Sequence, residues 1–244
     1  LPEGRYSSDR KGSCKESAMQ HPKLRLTIPW ESMELEAQQQ IIRVLAMPEL
    51  ECLAIMPDVH AGYDLCIGGV ALLRGVISPS FVGYDIGCGM CHVNTGQTAK
   101  DLGLERSKDR EKLFARLQEA VPAGLGAKGE TPSDFVFRSA AGDKQLDKKI
   151  EPLIYDQLAT LGSGNHFLEI GENSQGHVGV TVHSGSRRPG YDIASWYMRK
   201  GRLFPLESGL GQAYWQDMNW ALAFALENRR LMLQATLEST GFAG

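Results

Sequence analysis

The chain has 244 residues, enough to bury a substantial core, and its 42% hydrophobic and 23% charged residues are those of an ordinary globular protein. A net charge of −3 with a pI near 6.1 excludes a globally basic nucleic-acid binder, although a local phosphate site needs only a few arginines in one place. The five cysteines are odd in number and irregular in spacing, and the chain shows neither an apolar leader nor an apolar run of membrane length; this predicts a reduced, cytoplasmic protein away from membranes.

Residues 1–29 are polar and without periodicity, and they predict a flexible arm or tag remnant; residues 30–244 are expected to form one domain. Leu35, Ile41, Ile42, Val44 and Leu45 predict an amphipathic helix over 34–46. Cys52–Met56, closed by Pro57, predicts a buried strand, and 68–73 and 76–78 predict two more. The segment 81–86 then carries the chain to a glycine-rich turn. A helix is expected over 102–120, a surface excursion over 124–149, and a helix over 150–161. Strands are expected at 167–170 and 178–182, joined by a polar turn at 172–177, and helices at 192–199 and 212–237. Strands and helices without regular βα alternation indicate an α+β fold, mixed sheets with surrounding helices.

Chemistry concentrates in a few short strings. Asp85-Ile86-Gly87-Cys88-Gly89 puts a carboxylate and a thiol three residues apart in a turn whose glycines suit no strand interior. His166 follows Gly162-Ser163-Gly164-Asn165, and His183 leaves a β-rich run to open Ser184-Gly185-Ser186-Arg187. Asp, Cys and His are metal-ligand types, and a thiolate can touch two ions at once. The Ser-Gly-Ser-Arg string suits anion capture, with backbone N–H groups in a glycine turn and a planar arginine fork. Asn165 can present its amide to a phosphate oxygen. Asp58 and His60, two apart at a strand end, can orient a ligand from behind, or they can simply cap a turn. Cys91 makes a C-x-x-C with Cys88, but no second pair exists, so a four-cysteine zinc site is unsupported. His21, His92 and His177 receive no role, and the aromatic terminal helix reads as core.

Met56-Pro57-Asp58-Val59-His60, Val82-Gly83-Tyr84-Asp85-Ile86-Gly87-Cys88-Gly89-Met90, Gly162–Phe167 and His183–Arg187 together resemble the RtcB family of RNA ligases, in order as well as in identity. Asp217–Ala221 through Asn228-Arg229 also look like that family's helix after the second histidine. The resemblance, running from about residue 35 to the end, implies an RtcB-like fold. The family joins an RNA 3′-phosphate or 2′,3′-cyclic phosphate to a 5′-hydroxyl, using GTP and manganese, through a guanylylated histidine. Residue by residue it implies Asp85, Cys88, His166 and His183 as ligands of two Mn²⁺ ions with Cys88 bridging, Asn165 at the guanylate phosphate and Arg187 at an RNA phosphate. Ligand softness alone would favour zinc. A divalent-metal phosphoesterase and a non-catalytic RNA-binding module are the competing expectations. Archease is a partner of some members. Arg188-Pro189 departs from the glycine usual after the arginine. No histidine follows His183, so the resemblance further implies that the chain is an incomplete member, the N-terminal and central part of one catalytic domain, inactive by itself.

Overall fold

The computed structural model describes residues 20–129 and 144–242. The chain divides into two compact units. One comprises the chain up to Gly83 with Arg202–Gly211; the other comprises Tyr84–Gly201 with the chain from Gln212 onward.

In the first unit, strand β1 (Leu24–Leu26) runs parallel to β2 (Leu50–His60), and β2 runs antiparallel to β3 (Ile67–Leu73). Leu53 and Ile55, two apart and hence on one face of β2, are fully buried with Ala37, Ile41 and Val44 of helix α1 (Leu35–Leu45) and with Trp30. Each large apolar side chain taken from water here contributes about 1.5–3 kcal/mol. Leu24 joins this core, which corrects the expected arm over 1–29. The edge of β2 offers residues 24–26 a ladder, and the core offers Leu24 a place to bury its side chain. Residues 1–19 lie outside the described residues. The buried amide of Gln40 donates to the carbonyls of Gly62 and Tyr63 and accepts from the Gly62 N–H, which pins the turn after β2. Strand β4 (Val76–Ile77) pairs antiparallel with β8 (Phe204–Pro205), and one helical turn, α2 (Pro79–Val82), starts on a proline whose missing N–H no helix would use.

The second unit is built on an antiparallel sheet in the order β5 (Gly89–Thr98), β7 (His177–Ser184), β6 (Phe167–Glu172). Val178, Val180 and Val182 alternate to one face of the central strand and are buried with Leu104, Leu113, Val121 and Met232. Helix α3 (Ser107–Ala120) starts five residues later than the sequence suggested. Helix α4 (Lys144–Gln157) takes residues 144–149 out of the expected surface excursion, because Leu146, Ile150 and Ile154 share one buried face. Residues 130–143 of that excursion lie outside the described residues. Helix α5 (Arg187–Met198) follows β7 almost directly. Helix α6 (Gly209–Thr240) belongs to this unit from Gln212 onward, and Ala221, Ala225, Asn228, Met232 and Thr236 form a fully buried stripe at helical spacing. The mixture of sheets and helices is α+β, and no helix among the described residues is long and apolar enough to cross a membrane.

Candidate metal centre

The strand register of the second unit brings distant histidines and the Asp-Cys turn to one place. Gly89, the first residue of β5, pairs with Ser184, and Phe167, the first residue of β6, pairs with His183. Cys88 and His166 each immediately precede a flanking strand, so both arrive beside the last residues of central β7, which carry His183. Neighbouring strands lie about 4.8 Å apart, so side chains at this sheet end are within reach of one another. Asp85 joins through a tight turn closed by the Cys88 N–H to the Asp85 carbonyl at 3.0 Å. Gly87 in that turn has φ of 74°, and a Cβ there would lie 3.0 Å from the Ala225 side chain, so both backbone and packing require glycine.

The donor atoms are close. His166 Nε2 is 2.9 Å from Asp85 Oδ2 and 3.8 Å from Cys88 Sγ, and Cys88 Sγ is 3.1 Å from His183 Nε2. Asp85, Cys88 and His166 present donors within 4.8 Å of one another, and His183 attaches to that group through the thiol. Metal–ligand lengths of about 2.0–2.3 Å require donor–donor separations of this size. The His166 Nδ1–H donates to the Leu161 carbonyl at 3.0 Å, which orients the ring with Nε2 toward Asp85 and Cys88.

Loss of water disfavours the Asp85 carboxylate, but hydrogen bonds from His166 and Cys88, with the charges of His166 and Arg187, hold its carboxyl below the ordinary value. Partial loss of water and the adjacent Asp85 carboxylate push the Cys88 thiol up to about 12. Loss of water and the neighbouring His166 lower His183, which is therefore neutral near pH 7. Partial burial lowers Arg187 from its ordinary value, with Asp85 opposing.

A polar layer on α6 fixes the ligand segments from behind. The Asn228 amide accepts from the Thr160 N–H at 3.1 Å and donates to the Thr160 carbonyl at 3.1 Å, Ser184 Oγ at 3.2 Å and the Gly185 carbonyl at 3.4 Å. Arg229 Nη1 donates to the carbonyls of Gly87 at 2.7 Å and Ser184 at 2.6 Å. Two α6 residues therefore tie together all three segments that carry ligands. Gly185 has its own steric reason: a Cβ there would stand 2.1 Å from Asp85 Oδ1.

Asp85, Cys88, His166 and His183 are thus brought together as the sequence suggested. Asn165 and Arg187 line the same cleft of about 540 Å³ that opens beside Asp85 and His166. Arg187 is held by a bond from Nε to Thr160 Oγ1 at 3.2 Å and adopts a left-handed φ of 56°. Asp58 and His60 belong to the first unit, where His60 Nδ1 bonds the Asp58 carbonyl at 2.7 Å. Sequence reading gave no site role to Asn228, Arg229 or the Leu161 carbonyl. The available signal was polar residues on the buried stripe of an otherwise apolar helix face.

These features define a class of site: a cluster of carboxylate, thiol and imidazole donors at a sheet end, able to hold a metal ion, beside an arginine-lined cleft. The sequence model of RtcB, described as tRNA-splicing ligase RtcB, matches residues 40–149 and 136–241. The RNA-splicing ligase RtcB of Escherichia coli K12 is 33% identical over 235 residues, covering 83% of this chain and 57% of the relative. The tRNA-splicing ligase RtcB of Methanococcus maripaludis is 30% identical, covering 86% and 56%, and the RNA-splicing ligase RtcB homolog 1 of Entamoeba dispar is 28% identical, covering 80% and 48%. The chain belongs to the RtcB family. It spans about half the length of the curated relatives it matches.

Proposed function

We propose that the protein carrying this sequence is an RNA ligase of tRNA splicing or RNA repair. It would join an RNA 3′-phosphate or 2′,3′-cyclic phosphate to a 5′-hydroxyl with GTP and Mn²⁺. The observation that carries the reading is the convergence of Asp85, Cys88, His166 and His183 beside Arg187 in a family member. In this reading Asp85, Cys88, His166 and His183 are the residues that would hold the ions. Bound there, divalent cations supply charge neutralisation for phosphoryl-group transfer.

The chain's own residues do the rest. Arg187 offers a planar fork to an RNA phosphate, and Asn165 offers an amide to the guanylate phosphate. The Leu161 carbonyl orients the His166 ring. In this reading these residues supply the metal cradle and the phosphate arm. The donors are softer than manganese ordinarily selects, and the Mn²⁺ assignment follows the family. Archease is a candidate activating partner.

The test is ligation of a 3′-phosphate RNA to a 5′-hydroxyl RNA by the protein carrying this sequence, with GTP and Mn²⁺. Joined product is expected, and Cys88→Ala should abolish it. Phosphate release without GTP and without joined product would replace the reading with a phosphoesterase. The 244 residues alone are expected to bind Mn²⁺ and to form no covalent adduct with labelled GTP.

A further inference from the structure

Tyr84 sits one residue before the ligand Asp85, and its ring stacks on Tyr191 with centroids 5.0 Å apart and planes at 23°. The Arg188 guanidinium carbon lies 5.7 Å from the Tyr191 centroid, a cation–π contact beside the ring pair. Arg188 is held there: its Nε bonds Asp192 Oδ2 at 3.1 Å, while Asp192, 2% exposed, also receives Lys149 Nζ at 2.8 Å. Burial of that carboxylate with two cationic partners fixes its position, and through it the arginine. Tyr191 nonetheless remains 48% exposed.

Tyr84, Tyr191 and Arg188 line the same cleft as Asp85, Asn165 and Arg187. Its volume of about 540 Å³ lies in the range of small-ligand sites. One part of the cleft offers phosphate-binding chemistry; another offers π surfaces. A nucleotide has that same division, with an anionic phosphate at one end and a flat base at the other. Bases in single strands stack on tyrosine rings and arginine planes with little regard to sequence.

We propose that the Tyr84–Tyr191–Arg188 group is a nucleobase platform that receives the base of the RNA nucleotide whose phosphate lies at Arg187 and the donor cluster. It rests on the ligase reading for the identity of that nucleotide and adds a positioning element to it. The platform fixes where the terminal nucleotide lies without specifying which base it carries.

The test uses this chain with Mn²⁺ and a fluorescein-labelled decanucleotide RNA ending in adenosine 3′-phosphate. It is compared with the same RNA bearing an abasic terminal residue and with one ending in a 3′-hydroxyl, by fluorescence anisotropy. The adenosine 3′-phosphate end should bind about tenfold more tightly than the abasic end, the size of one base–aromatic stack. Tyr191→Ala should remove that preference, Tyr191→Phe should keep it, and Arg188→Ala should reduce it. Because the Tyr191 ring is half exposed, a circular dichroism spectrum matching the parent chain is expected of each variant. Equal binding of adenosine and abasic ends, or a preference that survives Tyr191→Ala, overturns the platform. The ligase reading would then stand if the 3′-phosphate still binds more tightly than the 3′-hydroxyl and Arg187→Ala removes that difference. A parent chain indifferent to the 3′-phosphate overturns both.

Discussion

Asn228→Ala tests whether α6 organises the site. The Asn228 side chain is fully buried and offers two N–H groups and one oxygen to four partners, so three hydrogen bonds are fully formed at any moment. Truncation takes a partner from the Thr160 N–H and from the Thr160 carbonyl, in a residue that is itself wholly buried. Each buried polar group deprived of its partner costs roughly 1–3 kcal/mol. Ser184 Oγ keeps its bond to the Leu161 carbonyl and adds little. The expected loss is about 4 kcal/mol, which at a slope of about 2 kcal/mol per molar lowers a urea midpoint by about 2 M. Trp196, Trp215 and Trp220 lie in the second unit, so tryptophan fluorescence reports mainly its unfolding. The Thr160–Leu161 segment also carries the carbonyl that orients His166, so divalent-metal affinity should fall roughly 10–100-fold in the folded variant. A stability loss below about 1 kcal/mol, or unchanged metal affinity, would refute the claim that this amide organises the cradle.

Other perturbations separate the donors from their supports. Gly185→Ala should displace the Asp85 carboxylate and lower metal affinity at least tenfold, measured by calorimetric titration, with a melting temperature close to that of the parent chain. Cys88→Ser should remove the thiolate-to-metal charge-transfer band of the Co²⁺-loaded protein; survival of that band would assign it to another cysteine. With the Cys88 thiol pushed up to about 12, a cation must displace its proton, so titrations near pH 8 in buffers of different ionisation enthalpy should show about one proton released per ion, and the apparent Kd should fall about tenfold per unit of rising pH. The lowered Asp85 carboxyl stabilises the fold above the ordinary carboxylate range and ceases to do so as pH falls through its depressed value. Lowered His183 acts in the same direction, while raised Cys88 stabilises the metal-free fold below its ordinary value of 9.0 and loses that effect as pH rises toward 12, so urea midpoints should decline at both extremes.

Periodicity made much of the fold legible. The apolar stripe of α1, the short run of β2 and the alternating valines of β7 all predicted elements that form. Strand β5 was missed although it has the right pattern: Met90, His92 and Asn94 are exposed, while Cys91, Val93 and Thr95 turn inward. Its glycine and polar residues masked a period of two. Strand β1 is three residues long and forms because β2 supplies its ladder, a cause that no local window contains. The first turns of α4 were hidden by lysines around Leu146 and Ile150, a stripe only one residue wide per turn. In the site, side-chain types at glycine turns revealed the four donors. Their supports were hidden because a backbone carbonyl has no sequence signature, and because a buried asparagine on an apolar helix reads as an exception until the helix phase is known.

The arrangement explains why this cluster needs a long helix behind it. Asp85 and Cys88 are separated by about eighty residues from His166, and His183 lies on a further strand, so the donors meet only after β5, β6 and β7 have paired. Bringing a carboxylate, a thiol and two imidazoles together gains little by itself, since the thiol is held protonated beside the acid. The stabilisation that offsets this comes from elsewhere: the valine face of β7 and the buried stripe of α6. Asn228 and Arg229 extend that stripe into a polar clamp on the backbone of all three ligand segments. The donors are therefore spaced before any ligand arrives, and packing has already met most of the ordering cost. The same logic assigns the glycines: Gly87 and Gly185 leave room for α6 and for the Asp85 carboxylate, so the backbone can approach where a side chain would push the donors apart.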